Sequence, residues 1–182
     1  YKWIRDSIAA RKPYDAMVRE LLTSSGNQTT SGPANYYVRL LQENGPPQDT
    51  FDNVATQSGQ QFLAEPLNCV SCHDGAGHLE LVNRGLARMK RRQLWGMAAF
   101  FSRISIDLVP PYFVVSEKPA GDYTLTTNSG NKSPRRPAEG QSEIVEPQYL
   151  SGEKPAGGEN LRAAYARMLT TDPQFARAAV NY

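Results

Sequence analysis

The feature that most constrains the fold of this chain is a short segment, LNCVSCHDGAGH at residues 67–78, which holds every cysteine and histidine of its 182 residues. Cys69, Cys72 and His73 form the pattern C-x-x-C-H, the attachment signature of c-type haem. One turn of helix separates the two thiols by about the spacing of the two haem vinyl groups, so each thiol can form a thioether. The next imidazole can then bind the iron. The pattern therefore predicts one covalent haem c, held by Cys69 and Cys72 with His73 as an iron ligand.

Two other interpretations of this segment stay open. A zinc site would need four ligands, and the only Cys and His residues of the chain are Cys69, Cys72, His73 and His78, two of which are adjacent and hard to place on one tetrahedron. A redox dithiol or a disulfide is also possible, although the flanking sequence is helical and lacks the βαβ pattern of a thioredoxin-like site. The spacing favours haem over both.

An iron bound by His73 has a sixth coordination position, and its occupant decides between electron transfer and catalysis. Met97 follows in a predicted helix that could fold back over the ring, and a thioether there would raise the reduction potential. Its alternative role is that of a core methionine beside Trp95 and Phe100. His78 is too close to His73 to reach the opposite face without strain. We expect it to bond a propionate or the backbone.

The charge distribution concentrates basic residues near this segment. The net charge is only +2, so nucleic-acid binding is not expected as the main task. Residues 66–103, however, carry six basic residues against two acidic ones. Such a run is commonly a solvated helix face. Alternatively, Arg88 and Arg91 pair with haem propionates, or the basic cluster forms a docking rim for an acidic partner.

The spacing of apolar residues predicts a mostly α-helical chain. Helices are expected at residues 1–12, 14–25, 35–43 and 50–64, followed by a long one within 86–104. Residues 104–158 are rich in proline and glycine and predict a loop-rich insert with one or two hairpins. Helices return at 159–182, where Asp172 and Pro173 form an N-cap and first-turn pair. We thus expect three units: 1–103, 104–158 and 159–182.

No apolar run approaches the roughly 18–20 residues that cross a bilayer, so we expect no transmembrane segment in this stretch. The chain has no initiator Met and no signal peptide, and its first residues, YKWIRDSIAA, read as the middle of an amphipathic helix. Its last residues, FARAAVNY, carry no stop signal. We therefore expect it to be an excerpt of a longer protein.

The order of several motifs resembles a known bacterial family. In this chain the segments follow one another as WIRDSIAARKPYDAMVRELLTSSG, PANYYVR, QFLAEPLNCVSCH and WGMAAFFSRI. They resemble the cytochrome-c-like (Planctomycete-type) domain of unknown function DUF1549, and LRAAYARMLTTDPQFARAAVNY resembles the start of its companion, DUF1553. The resemblance implies an exported protein with a cytochrome-c-like helical core around the C-x-x-C-H segment. Many members have a second His two positions after the haem His, where this chain has Gly75, and many have Leu in place of Met97.

These observations predict a monohaem electron-transfer protein or subunit in the periplasm or at the extracytoplasmic membrane surface, with a redox protein or a membrane-bound respiratory or photosynthetic complex as partner. Two alternatives remain. The first is a haem-less structural or interaction subunit of a membrane-associated electron-transfer complex, in which the loop-rich insert binds the partner. The second is a haem peroxidase-like enzyme, which would keep the sixth position open and need a distal acid-base group.

Overall fold

The structure is a computed structural model that describes residues 1–181. Within these residues the chain forms seven α-helices and two short 3₁₀ turns, Leu67–Val70 and Leu86–Arg88. The helices are α1 (Lys2–Ala9), α2 (Tyr14–Thr23), α3 (Asn35–Val38), α4 (Pro47–Leu63), α5 (Arg91–Ala99), α6 (Leu161–Thr171) and α7 (Pro173–Asn181). None of the described helices is long and apolar enough to cross a membrane.

Two small antiparallel sheets accompany the helices. The first has the strand order β1-β3-β2, and the second pairs β4 with β5. The strands are β1 (Gly26–Asn27), β2 (Ile104–Val109), β3 (Tyr112–Glu117), β4 (Tyr123–Thr124) and β5 (Ile144–Val145). β2 and β3 form a hairpin, with Ile104 opposite Glu117 and Val109 opposite Tyr112. The prediction of hairpins after residue 103 is therefore confirmed.

The predicted fold class, a mostly α cytochrome-c-like helical core with an inserted hairpin region, is wrong. The chain is 41% helix and 10% strand. The sheets are not confined to an insert, because β1 comes from the segment after α2 and pairs with β3. Nor is the helical core built around the cysteines, which lie in a 3₁₀ turn and a bend at partly exposed positions. A mixed fold with two small antiparallel sheets replaces it.

The core lies where α4, α5 and α6 meet. Met97, Phe100, Phe101 and Tyr165 are fully buried there, and the rings of Phe101 and Tyr165 pack edge to face at 4.8 Å. The Tyr165 hydroxyl is satisfied by the hydroxyl of Ser58 on α4, at 2.5 Å. α6 also packs against α2, and α7 packs against α4. The last two helices thus belong to the same core as the first half of the chain.

Helix boundaries follow local capping more closely than apolar spacing does. The long helix predicted within 86–104 is divided, because Met89 and Lys90 are extended and α5 begins only at Arg91. Gln93 Oε1 accepts the N–H of Lys90, and Asp74 Oδ1 accepts the N–H of Arg91, both at 2.8 Å. These acceptors satisfy main-chain donors that a helix start leaves without a partner. Similarly, α3 ends at Val38, five residues before the predicted end.

Candidate functional site

The end of α4 places the two cysteines at the surface. Ala64 adopts the left-handed conformation (φ 55°) as the C-cap of α4, and Pro66 precedes the 3₁₀ turn. Leu67 and Val70 anchor this turn in the core, with 1% and 0% exposure. Cys69 and Cys72 are separated by two residues, and both are free, partly exposed thiols. The turn therefore presents two thiols that an incoming group can reach.

His73 follows directly and is exposed. Its Nδ1 lies 2.7 Å from the carbonyl oxygen of Asp74. Because a carbonyl oxygen only accepts, this hydrogen bond places a proton on Nδ1, so in the neutral imidazole the lone pair is on Nε2. A backbone carbonyl on Nδ1 is a common outer-shell partner of an imidazole that ligates a metal through its other nitrogen. His73 is thus held in the tautomer that a ligand role requires.

The ring of His78 lies next to the ring of His73. Its ring centroid lies 4.4 Å from that of His73, with the planes tilted by 47°. The short turns that begin at Gly75 bring it there, because the N–H groups of His78 and Leu79 both donate to the Gly75 carbonyl. The sequence predicted a propionate or backbone bond for His78. The structure shows its ring against that of His73, a contact that the spacing of the two residues did not reveal.

A distant segment, residues 131–135, contacts the Cys72 thiol. Burial raises the pKa of this thiol, but hydrogen bonds from the Ser133 main chain and the Ser71 hydroxyl, together with the charge of Lys132, outweigh burial and leave the pKa below its usual value. The Ser71 hydroxyl lies 3.7 Å from the sulfur. Because the thiolate is the nucleophilic form of cysteine, these contacts favour reactivity at Cys72.

Arg91 joins the two segments. Its Nε donates to the carbonyl of Ser71 at 2.9 Å, while Nη2 and Nη1 donate to the carbonyls of Ser133 and Pro134 at 2.6 and 2.8 Å. The guanidinium also lies 4.8 Å from the Trp95 ring centroid. The side chain is 7% exposed, so its donors are used within the protein. The structure shows Arg91 as a positioning residue for the cysteine segment. A propionate contact from it stays a prediction that this bonding does not favour.

The other predicted site residues lie in two different environments. Arg88 is exposed, and no acidic residue within positions 1–181 forms a salt bridge with it, so a propionate could reach it. Met97 is fully buried in the core, whereas His73 is exposed. Its thioether could reach an iron on His73 only if the core opened. A sixth ligand from Met97 therefore stays a prediction that the burial does not favour.

Arg135, the last residue of segment 131–135, is the centre of a buried ionic cluster that the sequence analysis missed. Arg135 Nη2 donates to Asp49 Oδ1 and to Asp52 Oδ2, both at 2.6 Å, and Nε donates to the Tyr123 hydroxyl at 2.9 Å. All four side chains are fully buried. Asp49 Oδ2 also accepts the N–H of Asn131 at 2.6 Å. The sequence signal that could have indicated this cluster was the pair Asp49 and Asp52, three positions apart on the inward face of α4.

The loop after His78 exposes apolar side chains beside the histidine pair. Leu81 and Val82 are 102% and 76% exposed, while Leu79 and Leu86 hold the ends of the loop in the core. Among residues 1–181, no group of three or more His, Cys, Asp or Glu is arranged to hold a metal ion. The donor set of two free thiols and an oriented imidazole nonetheless fits covalent haem, because thioether attachment needs only two thiols and the protein need supply only one iron ligand.

Comparison with known proteins gives one match. The family model described as PSCyt2, protein of unknown function (DUF1549), matches residues 1–105. No curated protein and no solved structure matches the chain.

Proposed function

This chain belongs to the PSCyt2 family of proteins of unknown function (DUF1549), which covers its first 105 residues, and from that premise we propose that it carries one covalent haem c and transfers single electrons. The observation that carries the proposal is the geometry of residues 69–73. Two free thiols are separated by two residues, Cys69 in the 3₁₀ turn and Cys72 in the bend after it, and the next imidazole donates from Nδ1 to a carbonyl. When bound, the haem would supply reversible one-electron exchange at its iron.

The chain's own residues have distinct roles in this proposal. The Cys69 and Cys72 thiols would hold the haem by thioether bonds, each formed by addition of S–H across a vinyl group, so that the hydrogen ends on the other vinyl carbon and no oxidant is needed. His73 would bind the iron through Nε2. The Asp74 carbonyl keeps the imidazole in that tautomer. Arg91 donates to the carbonyl of Ser71, the residue before Cys72, and so holds the main chain of this segment.

The surface around this turn suits a bound macrocycle and an acidic partner. Leu81 and Val82, three and four residues after His78, offer exposed apolar area, and covering such area is favourable at about 25 cal/mol per Å². Arg88 is exposed and accessible to a propionate. We place the function in the periplasm or at the extracytoplasmic membrane surface, where a redox protein or a membrane-bound complex would be the partner. Residues 159–182 would then begin the companion DUF1553 domain.

The test is the intact mass and absorption spectrum of the chain produced in bacteria that express a c-type haem maturation system. We expect a mass increase of one haem and a Soret band that persists after acid–acetone extraction. Cys69→Ala with Cys72→Ala must abolish both. A bare polypeptide mass, under conditions that load a reference c-type cytochrome, contradicts the proposal and leaves a structural role for the free thiols.

Two matched variants test the iron ligand. His73→Ala must change the spin state of the iron, whereas His78→Ala, which removes the neighbouring ring, must keep a histidine-ligated spectrum. A low-spin spectrum that added cyanide does not alter favours electron transfer. High-spin iron that binds cyanide and turns over peroxide favours the enzymatic alternative.

A further inference from the structure

The first sheet has an open edge at β2. In the strand order β1-β3-β2, the hairpin partner β3 occupies one side of β2, and no strand among residues 1–181 occupies the other. Backbone hydrogen bonds fix which residues face which side. The N–H of Lys118 donates to the carbonyl of Arg103, and the N–H of Gln28 on the other side donates to the carbonyl of Phe113.

Hydrogen-bonded and non-hydrogen-bonded pairs alternate along an antiparallel ladder. Starting from the bonded pair of Arg103 and Lys118, the next bonded pairs are Ser105 with Ser116 and Asp107 with Val114. The intervening residues of β2 therefore direct their N–H and C=O groups away from β3. These residues are Ile104, Ile106 and Leu108. The N–H of Ile104 donates to the carbonyl of Phe101, so Ile106 and Leu108 present two donors and two acceptors to the outside.

The open edge lacks the features that normally protect one. Natural edge strands carry lysines, inward-pointing charges or bulges that prevent pairing with another chain. β2 pairs with β3 over all six of its residues, and Asp107 is its only charged residue. Leu108 and Val109 are 59% and 56% exposed, and Tyr112 is 42% exposed beside them. An unprotected apolar edge of this kind favours addition of a strand.

A groove lies against one face of the β2–β3 hairpin and includes residues of the edge strand. It has a volume of about 360 Å³ and is lined by Ile104, Ile106 and Leu108 of β2, by Phe113 of β3, and by Leu41, Pro47 and Phe51. A volume of this size lies at the lower end of the roughly 300–1,000 Å³ of ligand pockets, which suits the side chains of one short segment.

The groove also carries two charges of opposite sign. Glu43 and Lys118 both line it, both are exposed, and neither forms a salt bridge within the described residues. An occupant with one basic and one acidic residue would complement them. The main-chain groups of β2 require an extended polypeptide, because only another strand offers alternating donors and acceptors at the matching spacing.

We propose that the open edge of β2 binds an extended segment of a partner protein, which adds a fourth strand to the sheet and places alternate apolar side chains in the groove. Main-chain hydrogen bonds to Ile106 and Leu108 provide the affinity. Glu43 and Lys118 select a segment with charged residues of both signs. This interaction is independent of haem attachment, since it uses none of residues 67–78.

The probe is a capped peptide, Glu-Val-Thr-Val-Thr-Val-Lys, added to the ¹⁵N-labelled chain. We expect the amide signals of Ile106 and Leu108 to shift with a Kd of the order of 1 mM or tighter, and their hydrogen exchange to slow. The same peptide N-methylated at every residue keeps its side chains but has no main-chain donors, so it must not bind. No shift with the first peptide, or equal binding of both peptides, overturns the proposal.

Two variants at one position separate backbone from side chain. Leu108→Pro removes an outward N–H while leaving the β2–β3 ladder intact, so binding must fall at least tenfold. Leu108→Thr keeps the N–H and must bind more tightly than the proline variant. Circular dichroism reports whether each variant is folded, and the N-methylated peptide tests the proposal on the unaltered chain. A wild-type dimer that Leu108→Pro dissociates would show that a second copy occupies the edge, which also overturns it.

Discussion

Replacing Arg135 with methionine should destabilise the fold strongly, and the loss should depend on pH in a specific way. Methionine keeps much of the apolar stem but removes the guanidinium, which donates to Asp49, Asp52 and Tyr123 in a fully buried cluster. Two aspartates would then remain close together without a cation. Breaking a buried ion pair by removing one partner costs about 3–5 kcal/mol, because the remaining charge stays uncompensated.

The cost can also be worked from protonation. The variant relieves the charge by protonating one buried aspartate, and at pH 7 this costs about 4 kcal/mol for a carboxyl group whose ordinary pKa is about 3.9. At pH 5 the same protonation costs about 1.5 kcal/mol. The folded variant thus binds one more proton than the unfolded chain in this range, so its free energy of unfolding rises as pH falls.

Urea denaturation followed by circular dichroism at pH 7 and pH 5 measures both quantities. Relative to the wild type, we expect Arg135→Met to lose about 4 kcal/mol at pH 7, which corresponds to a fall in Tm of about 8–16 °C, and markedly less at pH 5. Arg136→Met is the matched control, since Arg136 is exposed, and it should change stability by less than about 0.5 kcal/mol. An Arg135→Met deficit below about 1 kcal/mol, or one that does not change with pH, would refute this reasoning.

Three further outcomes are expected from the packing and charge of single residues. Burial raises the pKa of Glu117, but hydrogen bonds from its neighbours outweigh burial and leave the pKa below its usual value. Glu117→Gln should therefore lower the free energy of unfolding by about 1–2 kcal/mol at pH 7 and by little near pH 3, where the wild-type carboxyl is also protonated. Urea denaturation of both proteins at the two pH values measures this difference. Met97→Ala should cost about 2–5 kcal/mol and Met97→Leu less than about 1.5 kcal/mol, and a haem spectrum that Met97→Leu leaves unchanged would exclude it as the sixth ligand. Gly75→Ala would place a Cβ 1.8 Å from the carbonyl oxygen of Leu86 and should cost about 3 kcal/mol or more in thermal denaturation, whereas Gly157→Ala meets no atom within 4 Å and should be nearly neutral.

The elements that the sequence predicted well are those whose signals are local. α2 ends at Thr23 and carries the apolar face expected from its spacing, with Val18 and Leu22 buried. α7 begins at Pro173, directly after Asp172, as the capping pair predicted. Such signals depend on neighbours within one or two turns, and a single sequence contains them in full.

The elements that the sequence did not predict depend on distant contacts. β1 has only two residues, and it exists because β3, almost ninety positions later, pairs with it. The start of α5 depends on the Asp74 carboxylate, seventeen residues earlier. Arg135 lies in a stretch with no regular structure, so nothing local showed that it is buried against α4. The site itself was predicted as a cluster of residues, but its hydrogen-bonding environment required the fold.

Arg91 links the carbonyls of Ser71 and Ser133, and Ser133 contacts the Cys72 thiol, only after residues 131–135 have reached their final place. If a cofactor is joined to this sulfur as we propose, attachment would therefore be easiest while the two parts of the polypeptide are still separate. Once the later segment has packed against the earlier one, the Cys72 thiol stays partly exposed but also contacts Ser133 of its own chain. Arg91, which bonds both segments, would thus slow attachment to the folded chain relative to attachment before folding.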